Sequence, residues 1–572
     1  LNGPSEPLVG PAGAASAAES LERRLRDGPG DWVALEDFAP LPDCLEWRLS
    51  RAYWDQRGSS AFFGGDVPYV AINDGRLSCD TARFLVELCA GDAARAPRVL
   101  EVGGGSGLFA RLFLDELRSL SPELYDTTTY VWTDASPAMV EQAVRHGTFA
   151  AHADRVQLRR LELPAMADLD DAADGGFDLV IANYAVDNLP ATMLRLAPGR
   201  IDELQVRATL PRGLAPARLH GQSADEWAAR LRDGRAGEHE LVELYPWFSL
   251  ECRYMPIGRE ALPLGAAVPD PPAGQVWHWL HHESALRWLG HAVPLLRLGG
   301  ALLVNDYGYD ARAGGARREA FQHYGPSVAN GLNFADFECF VDHQAGWAMT
   351  APAQDSNQVS SRLIVRTDDG QPGDAFALRL FRLLFAGPRR DRVLDLLTEA
   401  GASADARRLE EARWLYWQAR EAAPRCWHVL ERWAQFCLVH LKDAHAAAGL
   451  AQAALQLHPR HPALWNTLGD ARYELGQFDS AESAFLEAVS VNARDIRARL
   501  NLAYVHQLRG EFAPALQRLA EALAIDTQGD QREALLEKQR QVLLAQSLDA
   551  RDGILQQMNR FRNLDAPSPG TD

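Results

Sequence analysis

The hydrophobic pattern of this chain changes period more than once. From 98 to about 190, short apolar runs alternate with segments whose apolar residues recur every three or four positions. The runs are Arg98-Val99-Leu100-Glu101-Val102, Thr129-Tyr130-Val131-Trp132-Thr133-Asp134 and Phe177-Asp178-Leu179-Val180-Ile181-Ala182-Asn183-Tyr184. Phe109, Leu112, Phe113 and Leu117, then Met139, Val140, Ala143 and Val144, mark the helices between them. Strand, helix, strand, helix, strand predicts right-handed βαβ units, a parallel sheet and an α/β fold. Residues of about 191–275 break this rhythm with an Arg-, Pro- and Gly-rich stretch, and an insertion of that length is assigned to substrate recognition. The sheet is predicted to resume after an amphipathic helix over 279–298, ended by Gly299-Gly300. A strand over 301–308 and a closing pair over 347–350 and 361–365 complete it.

Before the first run, residues 31–97 carry aromatic clusters (Trp32, Trp47, Tyr53, Trp54) and a helical pattern over 80–88, with Asp80 or Ser78 as its cap. This block is predicted to lid a cleft at the sheet edge. Beyond 405 the pattern is helical throughout and repeats every 34–35 residues. Trp465, Leu468, Gly469, Gly476, Phe478, Ala481, Phe485 and Ala488 recur in register as Leu502, Gly510, Phe512, Ala515 and Ala522. Those small and large positions are similar to the tetratricopeptide repeat, in which stacked helix pairs bury what one pair cannot. The predicted organisation is a flexible lead (1–30), a helical lid (31–97), an α/β domain (98–370), linker helices (371–404), an all-α solenoid (405–550) and a disordered tail (551–572). The start at Leu1, without an initiator Met, reads as trimmed or engineered.

Composition narrows the function. A net charge of −19 argues against nucleic acid as partner, since that binding draws on basic surfaces. The seven cysteines are scattered, with no C-x-x-C, which reads as reduced core thiols in a cytoplasmic protein and as no metal site. His281, His282 and His323 lack a carboxylate or Cys at ligand spacing and read as solvent or helix-face residues. No apolar run reaches the length of a membrane span.

The chemistry-bearing stretch is Glu101-Val102-Gly103-Gly104-Gly105-Ser106-Gly107, a strand ending in a carboxylate and turning through glycines into a helix. Such a turn brings helix N-terminal amides to a ligand. It departs from G-x-G-x-x-G, because Leu108 stands where the dinucleotide fingerprint needs its third glycine. An acid ending the next strand, Asp134, suits a ribose diol.

The spacing instead resembles motif I of class I S-adenosylmethionine-dependent methyltransferases, and within them the MidA family. The matching stretches are E-V-G-G-G-S-G (101–107), S-P-E-L (121–124), D-A-S-P (134–137), N-Y-A-V-D-N-L-P (183–190), N-D-Y-G-Y (305–309) and D-F-E-C-F-V-D (336–342). The resemblance implies a Rossmann-like class I methyltransferase domain followed by an all-α TPR solenoid, with S-adenosyl-L-methionine as cofactor. That family includes a mitochondrial complex I assembly factor that methylates a protein arginine. This chain departs from it at Tyr184, where the family carries Glu, and at Phe340, where it carries His. Loss of the Glu puts an arginine acceptor in doubt.

On this reading Glu101 orients the methionine end of the cofactor, and Gly103, Gly105 and Gly107 admit it. Asp134, with Ala135 beside it, takes the ribose, and Asn183 lines the methyl channel. Glu162 either reaches the adenine amine or is a surface acid. On the acceptor side stand Asp306, Tyr307 and Asp187; Asp187 reads equally as a helix cap and Tyr307 as a packed ring. The acceptor is expected to be a protein or peptide held with help of the repeat array. The rival readings are a small-molecule acceptor with a homodimer formed through the array, and a non-catalytic scaffold that keeps a cofactor pocket.

Overall fold

The computed structural model describes residues 31–57, 73–90, 96–162, 176–216, 219–262, 264, 268–313, 322–324, 327–357, 359–367, 375–526 and 531–564. The expected lead at 1–30 and the end of the expected tail, 565–572, lie outside them. Two compact units, Leu1–Leu394 and Asp395–Asp572, divide the chain.

In the first unit, helices α1 (Leu45–Arg57) and α2 (Arg76–Cys89) precede the main sheet. Its parallel strands are β1 (Arg98–Val102), β2 (Thr129–Asp134), β3 (Val156–Arg160) and β4 (Phe177–Asn183). After an insertion built on β5 (Thr192–Ala197), β6 (Arg200–Pro211), β7 (Ser249–Ile257) and β8 (Trp277–His281), the sheet resumes with β9 (Leu296–Asp306). It closes with β10 (Trp347–Thr350) and β11 (Ser360–Arg366). Seven strands lie in the order β10-β11-β9-β4-β1-β2-β3, with β11 antiparallel to both its neighbours. Strand order reverses between β1 and β4, and ligands of open α/β sheets bind outside the carboxyl ends at such a switch point.

Period-two alternation explains why the sheet is covered on both faces. Val99, Leu179, Ile181 and Leu303 pack with Phe109 and Phe113 of helix α3 (Leu108–Leu120). Leu100, Val102, Val180, Leu302 and Val304 pack with Leu286, Trp288 and Leu289 of α5 (Glu283–Ala292), the chain having first passed through α4 (Pro137–Arg145). Every residue of β4 is buried, which is why it reads as one continuous apolar run.

Several expected details are corrected. The helix expected over 279–298 is only α5, because 277–281 form β8, paired antiparallel with β5 through Trp279 and Leu194. Trp279, Leu280 and His281 are all buried, so no alternation separated strand from following helix. Gly299-Gly300 does not end a helix. The pair sits inside β9 at a register shift against β4, and a Cβ on Gly300 would come 2.7 Å from the Phe177 carbonyl oxygen. Helix α2 begins at Arg76, whose N–H donates to Asp74 (2.9 Å); Ser78 and Asp80 are buried within it. The insertion is a six-stranded antiparallel sheet in which Trp32–Ala34 and Ala39–Pro40 also pair with β6.

Past β11, α6 (Ala375–Leu384) leads to α7 (Gly387–Asp405), within which the unit boundary falls. The second unit continues with α8 (Leu409–Ala422), α9 (Trp427–Phe436), α10 (Ala444–Leu457) and α11 (Pro462–Glu474). Then come α12 (Phe478–Val491), α13 (Ile496–Leu508), α14 (Phe512–Ile525) and α15 (Arg532–Leu564). Helix α15 runs past 551, where the sequence suggested an end to order; its start packs on α14 through Leu535 and Val542, a contact no polar composition reveals.

Small residues set the helix pairing. A Cβ on Gly469 would stand 2.4 Å from the Phe485 ring, whereas one on Gly449, mid-helix in α10, would meet nothing within 4 Å. Gly469→Ala is therefore expected to lower stability by about 1–3 kcal/mol. Gly449→Ala is expected to raise it by about 0.5–1 kcal/mol. Urea unfolding followed by far-UV circular dichroism distinguishes the two signs.

Candidate active site

The glycine turn follows directly from β1. Gly103, Gly105 and Gly107 take φ values of 65°, 54° and 71°, left-handed backbone that favours glycine, and Gly107 caps α3. The turn is tied to the end of β2: the Gly104 N–H donates to the Thr133 carbonyl (2.9 Å) and the Gly105 N–H to Asp134 Oδ2 (2.8 Å). Internal packing alone demands three of these glycines. A Cβ would fall 1.9 Å from Trp132 Nε1 at Gly104, 2.7 Å from Ala185 Cβ at Gly103 and 2.8 Å from Phe149 at Gly107. Gly104, which sequence reasoning passed over, is thus the most tightly constrained, and only the position of Trp132 reveals it.

Asp134 is buried, and its other oxygen accepts from the Ser136 N–H (2.9 Å). Burial still holds its carboxyl above the usual range. Each oxygen keeps lone-pair capacity for a ligand hydroxyl. The Ser136 hydroxyl and Trp132 Nε1, both buried at this strand end, have no hydrogen-bond partner among the described residues. A cradle of left-handed glycines, a buried acid and orphaned polar atoms fits a polar nucleoside. Ala135 lies exposed at the rim, its carbonyl accepting from Arg160 (3.2 Å).

Glu101, wholly buried at the carboxyl end of β1, accepts from the Tyr130 hydroxyl (3.0 Å). Burial, reinforced by the Asp134 charge, pushes its carboxyl up to about 8. Asn183 ends β4 beside it and accepts from Asn305 Nδ2 (2.9 Å), while Asn305 Oδ1 accepts from the Ser361 hydroxyl (2.6 Å). Glu162, one of the two readings of which was a surface acid, is half-exposed and pairs with Arg51 of α1 (3.0 Å) and Arg160 (3.5 Å).

The three acceptor-side residues do come together. Asp306 Oδ2 accepts from the Asp187 N–H (3.0 Å), Oδ1 from the Tyr307 N–H (2.9 Å), and the two carboxyls bond each other. Burial holds both above the usual carboxylate range, and for Asp306 the neighbouring Asp187 charge adds to it. Asp187 caps no helix, since β5 follows it; that reading is withdrawn. Tyr307 is a packed ring: it stacks on Tyr184 at 4.6 Å. Tyr184 has φ 46°, a strained setting for an aromatic residue and one that concentrates at functional sites.

His281 and His282 are neither solvent nor helix-face residues. Both are buried at the end of β8, where Asp336 accepts from Trp279 Nε1 (2.8 Å) and the His282 N–H (2.8 Å) and faces His281 Nδ1 (3.1 Å). Burial pushes the Asp336 carboxyl up, but the two imidazoles and the backbone donor outweigh it and hold it low. His323 lies in a short strand, Gln322–Tyr324. Among the described residues no group of three His, Cys, Asp or Glu is arranged to hold a metal.

A doubly wound sheet with a glycine turn at its switch point and an acid one strand over defines a Rossmann-like nucleotide-binding domain. Residues 82–329 match the family model described as "Putative S-adenosyl-L-methionine-dependent methyltransferase", and 438–495 match that of the tetratricopeptide repeat. The chain thus carries a domain that matches S-adenosylmethionine-dependent methyltransferases and a C-terminal tetratricopeptide-repeat region. Among solved structures it is similar to an uncharacterised protein of Burkholderia thailandensis (18% identity, 63% of this chain and 94% of that one, TM-score 0.38). A superfamily member from the same organism, bound to S-adenosyl-homocysteine, is similar over 64% of this chain and 94% of that one (18% identity, TM-score 0.39). The repeat region is similar to the first repeat domain of Spaghetti (RPAP3) bound to an HSP90 peptide (18% identity, 21% of this chain and 94% of that one, TM-score 0.20). A search of curated proteins returns no match.

The buried Glu101 sets a pH dependence. Its carboxyl titrates near 8 folded against about 4.5 unfolded, so the folded state holds the extra proton between those values. Stability conferred by the protonated form is present below about 4.5 and is lost as pH rises through 8. Glu101→Gln should flatten this part of the stability-versus-pH profile, measured by urea unfolding from pH 5 to 9; an unchanged slope would remove the assignment.

Proposed function

We propose that this enzyme methylates a protein or peptide and that the repeat region recruits the acceptor. Two features on one chain support this: a methyltransferase fold, and a repeat architecture of the kind that binds peptides. The resemblance to MidA-like methyltransferases is the finer family reading, and a reduced, cytoplasmic setting agrees with seven scattered cysteines and no C-x-x-C.

S-adenosylmethionine supplies an electrophilic methyl group on a sulfonium. Glu101, Gly103, Gly105, Gly107, Asp134, Ala135 and Asn183 hold it, and Glu162 reaches the base only if its pairing with Arg51 opens. Helix α1 reaches the same edge: its Arg51 meets Glu162, and its Trp54 Nε1 donates to Ser327 (3.0 Å). The carboxyl pair Asp306 and Asp187 accepts the proton that the acceptor atom loses as it gains the methyl, while Tyr184 and Tyr307 form an aromatic wall that aligns it. Alignment of this kind contributes roughly 7–11 kcal/mol to such reactions. Tyr184 replaces the carboxylate that would fork onto a guanidinium, which turns the proposal away from arginine as the atom donor.

Calorimetry with S-adenosylhomocysteine should lose its binding signal in Asp134→Ala. Transfer of tritiated methyl to lysate proteins should fall about 10²–10⁴-fold in Asp306→Asn with S-adenosylhomocysteine affinity retained. Full turnover after deletion of 405–572 would favour a small-molecule acceptor instead.

A further inference from the structure

Asn330 is 1% exposed, and neither its amide nitrogen nor its amide oxygen has a hydrogen-bond partner among the described residues. Burying an amide with both ends unused is costly, and native chains rarely leave one so without a role for it. Its place in the fold points to that role. The Asn330 N–H donates to the Asp187 carbonyl (2.9 Å), and two residues on the Leu332 N–H donates to the Tyr307 carbonyl (2.7 Å). Three residues earlier, Ser327 accepts from Trp54 of α1. The segment 327–332 therefore joins α1 to the loop carrying Asp187 and to the strand end carrying Tyr307, with Asn330 at the seam.

We propose that Asn330 is an acceptor-binding residue and that the group it binds is an amide, a peptide bond or a side-chain carboxamide of the acceptor; this rests on the peptide reading above. The argument is one of complementarity. A carboxamide offers one donor edge and one acceptor edge in a plane, and a second amide answers both edges at once with its own coplanar pair. A guanidinium or ammonium has donors alone and leaves Nδ2 unpaired. A carboxylate has acceptors alone and would lie beside the Asp187–Asp306 pair. The amide bound here need not bear the methylated atom; it fixes the acceptor chain against the carboxyl pair.

The test uses the full chain, tritiated S-adenosylmethionine and an array of synthetic peptides, followed by KM and kcat for the best-labelled peptide. Asn330→Leu, which keeps the branched heavy-atom skeleton and removes both polar ends, is expected to raise the peptide KM about tenfold. The S-adenosylhomocysteine Kd should stay unchanged, and Tm should rise by about 2 °C because an unsatisfied amide is gone. Asn330→Asp is expected to raise KM as well, having lost the donor edge. An unchanged KM in Asn330→Leu, or a lower Tm, would make Asn330 a structural residue and overturn the assignment while leaving the peptide reading intact. A lower KM in Asn330→Asp would overturn the amide class in favour of a cationic group. An array without any labelled peptide would overturn the peptide reading itself, and the amide assignment with it.

Discussion

Four carboxyl groups, those of Glu101, Asp134, Asp187 and Asp306, are buried along one edge of a single sheet, and none forms an ion pair with another described residue. Desolvation without a countercharge is the constraint on which the rest of this unit depends. The chain meets it with neutral donors. Backbone N–H groups of Gly105 and Ser136 hold Asp134, the Tyr130 hydroxyl holds Glu101, and the N–H groups of Asp187 and Tyr307 hold Asp306. Those donors offset burial only in part, and burial holds the carboxyls of this edge above their usual range.

That solution fixes much of the local backbone. An Asp134 that accepts from Gly105 needs the turn folded back over β2, and this brings Gly104 against Trp132 with no room for a Cβ. Asp306 can accept from Asp187 only if the chain turns sharply after β4, and Tyr184 takes its left-handed backbone there. Strain at Tyr184 and crowding at Gly104 are consequences of one requirement. A basic residue at this edge would supply the missing countercharge and bring the carboxyls back toward their usual range.

The inserted sheet and the segment at 31–57 fold together although some 150 residues separate them. Trp32–Ala34 and Ala39–Pro40 pair with β6, and α1 continues to the carboxyl edge of the main sheet. An insertion that enlists the N-terminal segment therefore shapes the approach to the site, a stronger connection than a loose substrate loop would make.

The sequence by itself determined the α/β order, the glycine turn, the acids at 101, 134, 187 and 306 and the period of the repeats. Each of these is written in local periodicity or in a residue type with few structural substitutes. Strand β8 escaped because both its faces are covered, so Trp279 and Leu280 show no alternation against the helix that follows. The histidines escaped for a different reason: their partner Asp336 lies some 55 positions away, and no local pattern announces it. Tertiary structure alone decided that Asp306 accepts from the Asp187 N–H, that Gly104 yields to Trp132, and that Asn330 is buried with its amide unspent. Those facts are distances between residues remote in the chain, and only packing sets them.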